Sequence, residues 1–202
     1  MLSRFTSPNL VTRIIWSYTI YIAFVLTSFA TGYFFLPRGA LINTPWTAFG
    51  VMATSPDTLI GQFLATAGFN LGFVLLLGAG LNLQRVNGFP TGYVFVFSAG
   101  IVSGLIAGTN SFASQAISPY TIEGWLIALR IQHIELLGYT FIVASTISIG
   151  LSDYSSWLPW KAKERKIQGW RDIRLEKQEI IGIVIGLLLI LIGAYNETVI
   201  AI

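Results

Sequence analysis

The chain has 202 residues, of which 54% are hydrophobic and only 10% charged, and its mean hydropathy is +0.70. A soluble domain carries about 25% charged residues, so this composition cannot supply a water-facing surface and points to an all-α integral membrane protein. The formal charge of +3 is small and its basic residues flank apolar runs, which excludes nucleic acid as partner; the lack of cysteine excludes disulfide frameworks, thiolate metal sites and cysteine nucleophiles.

Divided into spans of about 20 residues, the sequence predicts a bundle of five transmembrane helices. Arg4 and Arg13 precede the apolar run 14–35. At about 22 residues that run exceeds the core of a signal peptide, so it is expected to be a retained first span, stopped at Leu36-Pro37 because proline has no amide to continue a helix. The connection 39–54 is apolar in Leu41, Ile42, Phe49, Val51 and Met52 and holds Trp46, which places it at the membrane interface.

Ser55-Pro56-Asp57 reads as a helix start, with serine as N-cap, proline in the first turn and aspartate at the positive end of the dipole. It opens a second span, 58–81. Asn87-Gly88 and Pro90 signal a turn, and the third span is 91–107, followed by the uncharged stretch 108–117. Ser118-Pro119 repeats the cap signal. The apolar pattern then runs to Leu151, about 33 residues, more than a straight span needs; it divides into an interfacial or re-entrant piece, 120–129, and a fourth span, 131–151.

Segment 152–179 is the long polar stretch and contains Lys161, Lys163, Arg165, Lys166, Arg171, Arg174 and Lys177. It is expected to be a basic cytoplasmic loop. Ile167, Trp170 and Ile173 recur three apart, a pattern that fits a short amphipathic helix on the headgroups or a solvated loop with interfacial tryptophans. The fifth span is 180–200. With the amino terminus in the cytoplasm, Arg4, Arg13, Arg85 and the seven loop cations, ten of the 12 Lys and Arg, fall inside, and the carboxyl terminus lies on the opposite side.

Glycines spaced four apart, Gly68 and Gly72, Gly100, Gly104 and Gly108, and Gly182 and Gly186, share helix faces and predict close helix packing, within the chain or between subunits. The polar residues inside spans are Asn70, His133 and Glu135. A carboxylate at bilayer depth is costly, so Glu135 must face protein, a cavity or the interface; the boundary of the fourth span puts it, with a capping or interfacial His133, near the headgroups. A lone histidine is a poor metal site, though His133 could ligate a pigment. No phosphate loop, carboxylate pair or Ser-His-Asp set is present, so no enzyme is expected and no cofactor is predicted apart from that pigment.

Residues 70–151 resemble the stage II sporulation protein M family of five-span membrane proteins in Asn70 within a Gly-rich span, in the Asn87-Gly88 turn followed by Gly92, and in the late span entered through His133 and Glu135. The family's Pro-His-Gly with glutamate four residues after histidine is here Gln132-His133-Ile134-Glu135, so either His133 or Glu135 matches. The resemblance implies a non-enzymatic membrane scaffold: the sporulation member organises a complex with peptidoglycan-remodelling partners, and relatives are accessory to transport or envelope systems. The leading expectation is a structural or assembly subunit of a larger membrane complex, with lipid and other membrane subunits as partners. The alternatives are a transporter component, from Asn70, Glu135 and the re-entrant piece, and a pigment- or cofactor-binding subunit of an electron-transfer or photosynthetic complex, from His133.

Overall fold

Helix α1 (Leu2–Phe5) leads into α2 (Leu10–Phe35), whose first turn is closed by Asn9, its side chain accepting from the Thr12 amide at 3.2 Å. The computed structural model describes residues 2–45, 47, 58–112 and 118–200. Helix α3 (Leu59–Phe73) is capped by Thr58, which accepts from the Gly61 amide; the expected start at Ser55-Pro56-Asp57, Trp46 and residues 113–117 lie outside the described residues. Beyond α3 the helix widens into a π turn, Val74–Ala79, and ends in a 3-10 turn, Leu81–Leu83. Helix α4 is Gly92–Gly108, α5 Ile122–Arg130, α6 Gln132–Ser145 and α7 Lys177–Ile200.

Among the described residues four segments are long and apolar enough to cross a membrane: Leu10–Phe35, Leu59–Leu83, Ile122–Ile149 and Lys177–Ile200. Helix α4 is apolar but shorter, 17 residues, which rises about 25 Å. The piece expected to be interfacial or re-entrant is helix α5, which with α6 makes up the apolar segment Ile122–Ile149. The helix is interrupted at Ile131: its amide closes α5 on Ile127, the Glu135 amide opens α6 on Ile131, and the Arg130 carbonyl accepts from Asn196 instead; the rings of both pieces follow α2, Trp125 against Phe29 and His133 against Tyr21. Ser118 is not the cap of α5; Thr121 is, accepting from the Gly124 amide.

The all-α expectation is also corrected. Strands β1 (Gln84–Val86), β2 (Phe89–Pro90), β3 (Ser152–Tyr154) and β4 (Glu164–Lys166) form one sheet in the order β2-β1-β3-β4. The β1–β2 connection is Asn87-Gly88 with φ of 52° and 78°, the two left-handed residues of a type I′ hairpin. Strand β1 runs parallel to β3, with Arg85 opposite Asp153, and β3 antiparallel to β4. Pairing takes up the backbone of the basic loop at both strands. No amphipathic α-helix forms around Ile167, Trp170 and Ile173, where the regular structure is one 3-10 turn, Trp170–Asp172.

The sheet joins the α3–α4 connection to the basic loop, and the Arg13–Glu179 ion pair joins the first turn of α2 to that of α7 at 3.1 Å. These segments therefore share one end of the bundle. On α2 the buried side runs Arg13, Ser17, Tyr21, Val25, Ser28 and Gly32, three or four residues apart. It lies against Gly100, Gly104 and Gly108 of α4; a Cβ on Gly104 would meet the Val25 carbonyl, and one on Gly108 the Phe29 carbonyl. Gly182 and Gly186 let α7 close on Ser145 and Ile142 of α6. Gly68 and Gly72 pack on no other helix of the described chain, since a Cβ on either would meet no described atom within 4 Å. At the sheet end, fully buried Asn82 donates to the Val143 carbonyl and Thr146 and accepts from the Gly92 amide, fixing three segments to one another.

A candidate polar site within the spans

Asn70 stands near the middle of Leu59–Leu83, and Glu135 near the middle of Ile122–Ile149. The fold brings them together: Asn70 Nδ2 donates to Glu135 Oε1 at 2.7 Å. Tyr139, one turn beyond Glu135 and on the same face of α6, donates its hydroxyl to Asn70 Oδ1, also at 2.7 Å. Both ends of the Asn70 amide are thus committed, which fixes its orientation. The Glu135 carboxyl group keeps further hydrogen-bonding positions, since its two oxygens offer more than the one that Asn70 uses.

These residues line a cavity of about 360 Å³ between α3, α4, α6 and the last turn of α7. Its walls are apolar, with Phe69, Phe73 and Phe95 among them, and its polar groups include Ser98, Ser103, Gln132 and Glu197. The cleft exists because α3 leans on α7 and approaches α4 mainly through the π segment. Gly193 of α7 gives Glu135 its place, for a Cβ there would strike the Glu135 side chain. Among the described residues the ion pairs are Arg13–Glu179 and Arg165–Asp153, so neither Glu135 nor Glu197 has a cationic partner. Such a site can accept hydrogen bonds from a donor-rich or cationic solute, with aromatic rings to hold its apolar part.

Glu135, expected with His133 near the headgroups, lies near the middle of the apolar segment Ile122–Ile149. His133 is packed between α6 and α2, its Nδ1 3.5 Å from the Tyr18 hydroxyl and its ring edge-on to Tyr21, level with the middle of α2 and outside the cleft lining. Among the described residues no three His, Asp or Glu side chains gather as a metal would require.

The sequence reading missed Tyr139 and Glu197. Tyr139 had a signal, its i+4 spacing from an intramembrane carboxylate. Glu197 lies within the fifth span, 180–200, and its place in the cleft lining comes from the packing of α7 against α6. Outside the spans, Arg85 bonds the Ile147 carbonyl at 2.8 Å; burial lowers the pKa of its guanidinium, and nearby Asp153 opposes that shift. No family model, curated protein or solved structure matches this chain.

Proposed function

We propose that the chain crosses the bilayer five times with its amino terminus in the cytoplasm and serves as the membrane component of a transporter, its cleft holding a donor-rich solute on the way across. The observation that carries this reading is the Asn70–Glu135 bond at mid-span, opening on a cavity with a second carboxylate. Ionisable groups at that depth are expensive and mark pathways. The orientation rests on the sheet end of the bundle, where Arg4, Arg13, Arg85 and the seven loop cations stand, and which the positive-inside rule assigns to the cytoplasm. The five-span count takes α4 as a short fifth crossing.

A second reading, a structural or assembly subunit, is favoured by Gly68 and Gly72. They form a small-residue face on α3 that the described chain leaves uncovered, the kind of face on which another helix packs. It is also the role that the resemblance to stage II sporulation protein M implies. Proteoliposomes carrying an internal pH indicator separate the two. Proton or solute-coupled flux in the wild type that Glu135→Gln abolishes supports transport. An inert wild type that co-purifies with stoichiometric membrane companions moves the assignment to assembly.

A further inference from the structure

The basic loop combines two features that the transport reading does not use. Trp157, Trp160 and Trp170 are 56%, 77% and 68% exposed, a large aromatic surface to leave in water. The stretch 157–171 that carries them holds Lys161, Lys163, Arg165, Lys166 and Arg171 against the single acid Glu164, a net charge of +4. Strand β4 lies at the outer edge of the sheet with all three residues exposed. The neighbouring Asp153 is already committed to Arg165 and the Gly88 amide, and Glu164 is bonded to Ser152.

We infer that this edge of the sheet is a docking surface for the anionic headgroups of the bilayer in which the spans sit. The inference rests on the membrane-spanning reading and is independent of transport. The sheet is tied to the bundle end through β1, β3 and the Arg13–Glu179 pair, so its exposed side chains stand beside the headgroup layer. Tryptophan settles at that depth, where its ring meets acyl chain and its N–H meets water. Lysine and arginine beside an anionic leaflet are drawn toward it. A soluble acidic protein would satisfy the cations but would have to cover three scattered indoles as well.

The test uses the full chain with one cysteine introduced at Ala162, between two of the lysines, and labelled with an environment-sensitive fluorophore. The protein is placed in nanodiscs of phosphatidylcholine alone or of phosphatidylcholine with phosphatidylglycerol, and the label is quenched with acrylamide, which is uncharged. Quenching should fall in the anionic discs, and high salt should restore it. Lys161→Gln, Lys163→Gln and Lys166→Gln together should abolish the difference, each cation removed weakening the bound state about fivefold. Equal quenching in both discs, protection that survives the triple substitution, or protection that appears only with a co-purified protein would overturn the inference. Failure of the wild type to enter nanodiscs at all would overturn it together with the membrane reading, and is seen before any quenching is measured.

Discussion

Replacing Gly104 with alanine adds one methyl group at the tightest crossing of α2 and α4. That methyl would meet the Val25 carbonyl oxygen, with Ser28 Cβ at 2.8 Å and the Phe29 amide nitrogen at 2.9 Å. Two of the three are backbone atoms, so no rotamer change relieves the contact and the helices must part. Overpacking of a filled interface costs about 1–3 kcal/mol, against a gain of about 1 kcal/mol from removing glycine from a helix interior. Gly68→Ala makes the same chemical change with nothing within 4 Å, so it should keep the whole of that gain. Unfolding of the purified protein in mixed micelles, followed by circular dichroism, reads the difference: Gly104→Ala less stable than wild type, Gly68→Ala as stable or more so. Equal effects of the two substitutions would refute the assignment of Gly104 to the α2–α4 contact and of Gly68 to an open face.

Arg13 and Glu179 are 3% and 4% exposed at their side chains, so Arg13→Met alone should cost about 3–5 kcal/mol by leaving a buried carboxylate unpaired. Adding Glu179→Leu should recover most of that loss in the same micelle assay; a double variant no better than the single one would show the charge was not the cause. Tyr139→Phe removes the donor to Asn70 Oδ1 and should cost about 0.6–1.7 kcal/mol, the range for hydrogen bonds between membrane helices, while Asn70→Leu, which removes both bonds, should cost more. Identical stabilities for these two would mean that the Asn70–Glu135 bond contributes nothing. Single cysteines at Ala162 and at the exposed Val199 should be labelled from opposite sides of the membrane by an impermeant reagent, and labelling of both from one side would reject the proposed topology.

Much of the architecture is legible in one-dimensional patterns because the forces behind it are local. Apolar runs bounded by Pro37, by Asn87-Gly88 and by the basic loop gave spans within a few residues of α2, α3 with its extension, α4 and α7. The hairpin turn could be read from two residues, since few others tolerate positive φ in succession. The parallel pairing of β1 with β3 could not: it joins segments more than 60 residues apart, and neither strand is long enough to show alternation. The glycine pattern named faces but not what each face meets, so Gly104 and Gly68 look alike in sequence and differ in the fold.

The site was legible in its members and not in their contacts. Asn70 and Glu135 stand out because polar side chains are rare in such spans. The break at Ile131, expected as the start of the fourth span, is present, and α5 before it packs along Phe29. Counting the span from Ile122 would put Glu135 near its middle rather than near one end. That shift turns a carboxylate with no required role into one that needs partners, and Asn70 provides the first of them.

The central claim is that a cleft carrying Asn70 and Glu135, reachable by a hydrophilic solute, opens between α3 and α4 at mid-span. The absence of native cysteine allows it to be tested with Ser98→Cys, on the cleft wall, and Leu64→Cys, exposed on the outer side of α3, both in proteoliposomes treated with small methanethiosulfonate reagents. The account predicts that the cysteine at position 98 reacts, faster with a cationic than with an anionic reagent because Glu135 and Glu197 share the cleft, and that the lipid-facing cysteine at position 64 does not. A cysteine at position 98 as unreactive as that at 64, or one indifferent to reagent charge, would contradict it.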